Sequence, residues 1–321
     1  MDAEALHTRR EARRRAIRRR RRQAGAAVIA AVLVALAVVL ATRSGGSSKP
    51  AAQRTQSAHS VHRTQLRRTG SAGGTSTAAA TGRPGTGSVP ILMYHVIAAP
   101  PAGAPFPGLY VTPSEFAAQM QALKSAGWHA VTLDQVEAYW RQGVPLGAGK
   151  PIVLSFDNGY QSQYSQALPV LRRLGWVGDE NIQLTGLPPA QGGLSQSQVR
   201  GLLTAGWELD TQGVSHADLI TLDSQQLRYQ VAGARALLKE RYHVPVSWFC
   251  YPSGHYDATV IAAVKAAGYS GSTTVVPGWA HRNDDPYRLH RLRVLGGTTP
   301  DGLLALIAGI RDDPPAPPSY S

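Results

Sequence analysis

The chain of 321 residues has a single cysteine, Cys250. Because this thiol has no partner within the chain, an intramolecular disulfide is excluded whatever the redox state of the surroundings. Cys250 stands between Phe249 and Tyr251, and its apolar run contains no basic residue that could lower its pKa. We therefore expect a buried core thiol, with a reactive nucleophile as the alternative.

Acidic residues are scarce in residues 1–88 but not in the rest of the chain. Residues 1–88 contain 17 Lys and Arg but only 3 Asp and Glu, whereas residues 89–321 contain 16 basic and 17 acidic residues. The net charge of +13 is therefore a property of the amino-terminal part. Since the remainder has no excess of positive charge, nucleic acid is not expected as a partner of the folded domain.

The amino-terminal part has the pattern of a membrane anchor. Residues 1–23 are rich in arginine, and residues 24–42 are uncharged and apolar. As a helix, this stretch would span about 28 Å of a hydrocarbon core that is about 30 Å thick. We expect a single-pass segment in the cell membrane, in contact with the lipid bilayer, with residues 1–23 in the cytoplasm and the carboxyl side outside it. A cleaved signal peptide is the alternative.

Two segments with little apolar content border the predicted folded domain. Residues 43–88 consist mainly of Ser, Thr, Gly, Ala, Gln and Arg, so they are predicted to form a disordered linker. Residues 314–321 form a Pro-rich tail. The folded domain is therefore predicted to comprise residues 89–313.

Apolar runs alternate with amphipathic stretches throughout residues 89–313. We predict strands at 90–95, 128–131, 151–156, 180–184, 207–211, 246–250 and 269–276, with a final candidate at 291–295. Helices are predicted to begin after Thr112, Ser195, Asp223 and Asp257, and glycines typical of helix ends stand at Gly127, Gly175, Gly206 and Gly268. This repetition predicts an α/β fold with a parallel sheet, and about seven strand–helix units suit a closed or nearly closed barrel.

The apolar run 151–156 stops abruptly at Asp157, Asn158 and Gly159. A strand of this kind delivers polar groups to its carboxyl end, although a turn that merely caps the next helix is the alternative. In a barrel the carboxyl ends of the strands meet on one face. The polar residues expected there are His95, Asp157, Asn158, Gln212, His216, Tyr251 and Arg291.

Several motifs, in order, resemble the polysaccharide deacetylases with the NodB homology domain, a group similar to carbohydrate esterase family 4. They are Ser155-Phe-Asp-Asn-Gly-Tyr160, Gly206-Trp-Glu-Leu-Asp-Thr-Gln-Gly-Val-Ser-His216 and Tyr251-Pro-Ser-Gly254, together with Pro90-Ile-Leu-Met-Tyr-His95 and Asp285-Pro-Tyr-Arg-Leu-His-Arg-Leu-Arg-Val294. The resemblance implies a deformed (β/α) barrel that removes acetyl groups from amino sugars with the help of a zinc-like divalent metal. It also implies that Asp157 is the general base.

The chain departs from the family pattern at the implied metal ligands. Asn158 stands where the family has an aspartate, and Gln212 where it has the first histidine, whereas His216 matches the second histidine. Carboxamides are neutral and offer only a carbonyl oxygen to the metal. We therefore expect metal binding to be weak or absent. The alternative is a rearranged site in which Asp157, Asp210 or His95 joins His216 and Asn158 contributes its carbonyl oxygen.

The remaining site predictions concern substrate contacts. Arg291 and Arg293 lie on a predicted strand, and we expect only one of them to point inward. Arg291 is a candidate catalytic residue if it is that one, with a surface salt bridge as the alternative. Tyr251, Pro252 and Trp207 are candidates for sugar binding, although aromatic residues at such places often serve as core packing. The expected function is a membrane-anchored deacetylase acting on N-acetylated glycans of the cell envelope. The alternative is a catalytically impaired pseudoenzyme that binds glycan or serves as an envelope interaction domain; the oligomeric state stays open.

Overall fold

The structure, a computed structural model, describes residues 80, 82–187 and 192–312. The predicted arginine-rich head, the anchor, most of the linker and the tail lie outside the described residues. Among the helices of the described part, none has both the length and the apolar character that a bilayer crossing requires.

Eight parallel strands form one sheet in the described part of the chain. They are β1 (Ile91–Tyr94), β2 (Trp128–Val131), β3 (Lys150–Asn158), β4 (Asp179–Ile182), β5 (Glu208–Thr211), β6 (Trp248–Cys250), β7 (Gly271–Thr273) and β8 (Leu292–Arg293). Their order is β7-β6-β5-β4-β3-β1-β8, and β2 also pairs with β3. The predicted α/β fold with a parallel sheet is confirmed.

Strand β3 is the centre of the sheet. Val153 is paired with Ile91 of β1 on one side and with Val131 of β2 on the other. Further along, Ser155 is paired with both β1 and Asp179 of β4, so β2 and β4 flank the same edge of β3 in succession. All residues of β3 from Ile152 onward are buried, as expected for a strand covered on both faces.

Backbone hydrogen bonds also connect the two ends of the strand order. The N–H of Leu289 donates to the carbonyl of Ser272, and the N–H of Thr274 donates to the carbonyl of Leu289. Further along, the N–H of Arg291 donates to the carbonyl of Val276. The sheet is therefore curved, so that β7 approaches the segment that leads into β8.

Helices cover the outside of the sheet. The α-helices are α1 (Pro113–Ser125), α2 (Leu133–Gln142), α3 (Leu168–Leu174), α4 (Gln196–Thr204), α5 (Ser224–Arg228), α6 (Ala234–Tyr242), α7 (Ala258–Ala266) and α8 (Pro300–Asp312). Two π-helical turns, Gln163–Ala167 and Tyr229–Gly233, precede α3 and α6. Short 3₁₀ helices lie at Pro107–Leu109, Leu219–Thr221, Pro252–Gly254 and Pro286–Arg288.

The predicted helix boundaries agree with the local hydrogen bonding. Thr112 and Ser195 form capping boxes at the starts of α1 and α4, and the carboxylates of Asp223 and Asp257 accept backbone N–H groups at the starts of α5 and α7. The predicted terminal glycines all have positive φ, a conformation that carries little penalty without a Cβ atom.

Most strand boundaries differ from the prediction, and the largest difference is at β7, which is Gly271–Thr273 instead of 269–276. Strand β6 begins at Trp248 instead of residue 246, because the N–H groups of Ser247 and Trp248 donate to the carboxylate of Asp210. The ordered domain also begins before residue 89, since Gly85 and Gly87 are hydrogen-bonded to residues of α2. The last residues assigned to the linker therefore belong to the domain.

Candidate functional site

A pocket of about 580 Å³ opens at the carboxyl ends of the strands. Six of the residues predicted to converge line it: His95, Asp157, Asn158, Gln212, His216 and Tyr251. They reach one place because β1, β3, β5 and β6 run in parallel and end on the same side of the sheet. The prediction that these strand ends share a pocket is confirmed.

Asp157 is bound by Arg291 behind the pocket wall. The guanidinium donates from Nη1 to Oδ1 at 2.7 Å and from Nη2 to Oδ2 at 2.9 Å, a bidentate pair between two side chains that are 0% and 1% exposed. Arg291 also donates from Nε to the carbonyl of Thr274. It therefore points inward, as the candidate catalytic role required, and its surface alternative is wrong.

Further contacts fix the carboxylate of Asp157, and sequence reasoning missed them. Asn181 of β4 donates from Nδ2 to Oδ1 at 2.9 Å, and the Cys250 thiol lies 3.5 Å from Oδ2. Gln163 donates to the carbonyls of both Asp157 and His95, which ties the ends of β3 and β1 together. Asn181 stands directly opposite Asp157 in the register of β3 and β4, but the sequence alone does not provide that register.

The electrostatic balance at Asp157 favours the ionised form. Burial raises the pKa of this carboxyl, but the charge and hydrogen bonds of Arg291, followed by His95 and Asn181, lower it from 3.8 to about 2. Burial also raises the pKa of the Cys250 thiol to about 12, so the predicted core thiol is confirmed and is un-ionised at neutral pH.

Two histidines line the pocket near Asp157. Burial lowers the pKa of His95 to about 4, so its ring is neutral at pH 7 although Nε2 lies 4.0 Å from Oδ2 of Asp157. Burial also lowers the pKa of His216. The backbone of His216 has φ 52°, a left-handed conformation that side chains rarely adopt.

Two carboxamides occupy the implied ligand positions. Asn158, at φ 80°, donates from Nδ2 to Oε1 of Gln183 at 2.9 Å. Gln212 is 3% exposed, and its Oε1 is buried without a hydrogen-bond partner in the described structure. A hydrogen-bond acceptor without a partner in a pocket wall favours a ligand that supplies an N–H or O–H donor.

The side chains of the pocket do not fit the divalent metal that the family resemblance implies. They offer the imidazoles of His95 and His216 and the neutral oxygens of Asn158 and Gln212, while Arg291 already binds both oxygens of Asp157. Across the described residues, His, Cys, Asp and Glu side chains form no group of three that could hold a metal ion. A zinc site normally has three or four charged or imidazole ligands.

Other predicted site residues lie outside this pocket. Trp207 is buried in the core, where its ring stacks on Phe156 with 4.8 Å between centroids, so it does not contact a ligand in the pocket. Pro252 is buried beside Tyr251 but does not line the pocket. Asp210 is held by the backbone of β6 and is likewise absent from the lining, which removes it from a rearranged metal site.

Two residues at the pocket were not predicted. Arg293, on β8, follows Arg291 by two positions and lines the pocket, as the two-residue period of an extended chain would have indicated. Phe106, in the loop after β1, also lines the pocket and is 68% exposed. No pattern in its Pro- and Ala-rich surroundings indicates this position.

Comparisons with known proteins give a consistent result. The family model for polysaccharide deacetylase matches residues 147–272. The Bacillus subtilis protein YxkH, which is named as a polysaccharide deacetylase, is 28% identical over 224 residues, which are 70% of this chain and 77% of that protein. A stretch of 58 residues is 38% identical in sequence to part of the poly-beta-1,6-N-acetyl-D-glucosamine N-deacetylase of Escherichia coli. This stretch covers 18% of this chain and 8% of that protein. The solved structure of the Streptococcus pyogenes deacetylase PplD shares the fold, with a TM-score of 0.64 and 24% identity over 69% of this chain and 99% of that one.

Proposed function

Because this chain belongs to the polysaccharide deacetylase family, we propose that its pocket binds an N-acetylated polysaccharide of the cell envelope and no longer hydrolyses it. The curved sheet corresponds in this proposal to the deformed (β/α) barrel of the family. The observation that carries the proposal is the composition of the pocket. The strand ends still form a pocket with polar side chains in its wall, while two of three implied metal ligands are carboxamides.

Recognition of an acetamido sugar uses groups that have no other partner. The buried Oε1 of Gln212 accepts a hydrogen bond from an acetamide N–H or from a sugar hydroxyl. Phe106, which is exposed at the pocket, offers an apolar face for the C–H groups of a sugar ring. The short match to an N-acetylglucosamine polymer deacetylase supports this class of ligand.

Loss of hydrolysis follows from the same side chains. A general base works best when its pKa is near the working pH, whereas the pKa of Asp157 is about 2 and both of its oxygens are bound by Arg291. Among the described residues, no group of three His, Cys, Asp or Glu side chains is placed to hold an ion that would activate water.

The location of the domain is part of the proposal. Residues 24–42 anchor the chain in the cell membrane, and residues 43–84 separate the domain from the bilayer on its outer side. An uncleaved anchor with this orientation places the pocket within reach of the cell-envelope glycan. The support for this arrangement is the sequence pattern.

Deacetylation is the second candidate, favoured by one observation. Asp157, His95 and His216 all reach the same pocket, and Arg291 holds the carboxylate of Asp157 in a fixed orientation. This arrangement preserves an acid and two imidazoles at the place where an acetamide would lie. Release of amine from an N-acetylated oligosaccharide distinguishes this candidate from binding alone.

The test is calorimetric titration of the purified protein with an N-acetylglucosamine tetrasaccharide, with and without a chelator, together with an assay for released amine. We expect binding that the chelator does not change and no amine release with zinc, cobalt, nickel or manganese. The Gln212→Leu variant should bind about 5- to 10-fold more weakly because it loses one hydrogen bond. Gln225→Leu, on the exposed surface of α5, is the matched control and should bind as the wild type.

The outcomes separate the alternatives. Metal-dependent amine release would show that the protein is a deacetylase and would overturn the loss of hydrolysis. Absence of binding by a folded sample would leave no role for the pocket in glycan recognition. In that case an envelope interaction domain would replace the proposal.

A further inference from the structure

The described part of the pocket wall contains one carboxylate, and the positive charge of an arginine already balances its negative charge. Among the described residues that line the pocket, Asp157 is the sole acidic one. Each of its oxygens accepts a hydrogen bond from Arg291, at 2.7 and 2.9 Å, so the pair contributes no net charge to the pocket. A ligand therefore meets no free negative charge there.

The positive charge of Arg293 is not compensated in this way. Its side chain is exposed and lines the pocket, and within the described residues no hydrogen bond or ion pair joins its guanidinium to another residue. It contrasts with Arg288, which is close in sequence, is ion-paired with Asp285 and does not line the pocket. Arg293 is therefore available to a ligand.

The other titratable groups of the pocket do not cancel this charge. Among the described residues that line the pocket, the other ionisable side chains are imidazoles and phenols, and none of them is a carboxylate. Within the described lining, the guanidinium of Arg293 therefore has no carboxylate left to balance its charge, because Asp157 is paired with Arg291.

We propose that the pocket selects N-acetylated glycans that carry a carboxylate beside the N-acetyl group, with Arg293 binding that carboxylate. A guanidinium matches a carboxylate through two parallel hydrogen bonds, which is the geometry that Arg291 already shows with Asp157. The same charge disfavours a glycan with free amino groups. This inference rests on the proposed function, since it names the glycan class that the same pocket binds.

The test compares three oligosaccharides of equal length by calorimetric titration at low salt. One is a neutral N-acetylglucosamine oligomer, the second carries a lactyl carboxylate on alternate sugars, and the third is the fully deacetylated, cationic oligomer. We expect the carboxylated ligand to bind about tenfold more tightly than the neutral one, as for a charge-assisted hydrogen bond at a partly exposed site, and the cationic ligand to bind most weakly. This preference should shrink at high salt.

Variants assign the preference to one residue. Arg293→Gln should reduce the affinity for the carboxylated ligand to that for the neutral ligand, whereas Arg288→Gln, which removes an equal charge outside the pocket, should keep the preference. Equal affinities in the wild type, tighter binding of the cationic oligomer, or a preference that persists in Arg293→Gln would overturn the inference and leave the proposed function in place. Absence of binding for all three ligands would instead overturn the proposed function.

Discussion

Replacing Arg291 by methionine should destabilise the protein in a manner that depends on pH. The bidentate pair with Asp157 is fully buried, so the substitution leaves a carboxylate without its partner in the protein interior. Removing one member of a buried ion pair costs about 3–5 kcal/mol. In the wild type, the fall of the Asp157 pKa from 3.8 to about 2 corresponds to about 2 kcal/mol of stability at neutral pH.

The sign of the pH effect is opposite in the two proteins. In the wild type the stabilisation from Asp157 is present above pH 3.8 and is lost as the pH falls toward 2. In Arg291→Met, burial without the guanidinium raises the pKa of Asp157, so the folded state retains a proton that the unfolded state releases. The variant therefore loses stability as the pH rises, and the difference from the wild type grows between pH 4 and pH 7.

Urea unfolding followed by tryptophan fluorescence measures this difference at both pH values. Arg293→Met is the matched control, since its exposed side chain should cost less than about 0.5 kcal/mol at either pH. The double variant Asp157→Asn with Arg291→Met should show a loss that does not change with pH. A loss below about 1 kcal/mol at pH 7, or an equal loss at pH 4 and pH 7, would refute the account of a charge-dependent buried pair.

Three further predictions concern buried groups around the sheet. Cys250, whose thiol pKa is raised to about 12 by burial, should resist iodoacetamide at pH 8 in the native protein and react in denaturant; native labelling at the rate of a free thiol would contradict its placement. Glu180 is buried with both carboxylate oxygens unpartnered and its pKa well raised by burial, so Glu180→Gln should add about 1 kcal/mol or more of stability at pH 8 and little at pH 4 in urea unfolding. Gly254 has φ 72°, and a Cβ atom there would lie 2.2 Å from Cγ2 of Val275, so Gly254→Ala should lower the unfolding free energy by about 1–3 kcal/mol, unlike Gly309→Ala, whose site is open.

Local patterns in the sequence predicted most of the strands and helix starts. Capping residues and terminal glycines interact only with residues a few positions away in the sequence. Thr112, Ser195 and Gly206 could therefore be identified without knowledge of the fold. The run that ends at Asp157 and Asn158 is similarly local. Its continuous apolar character and its flanking residues were sufficient to place β3.

Contacts across the sheet could not be predicted in the same way. The partners of Asp157 come from β4, β6 and the segment before β8, and their register depends on the curvature of the whole sheet. Trp207 was predicted to bind sugar, but its ring stacks on Phe156 inside the core. Its position after a glycine does not reveal the direction in which the ring points. Arg293 was within reach of prediction, since residues two apart in a strand share a face.

The central claim is that carboxamides at positions 158 and 212 have removed the metal-dependent reaction while the pocket is retained. Elemental analysis and amine release, measured together on the purified wild type and on Asn158→Asp with Gln212→His, test it most directly. We predict less than stoichiometric metal and no amine from the wild type, and both stoichiometric zinc and amine release from the double variant. Stoichiometric metal and amine release in the wild type would contradict the claim.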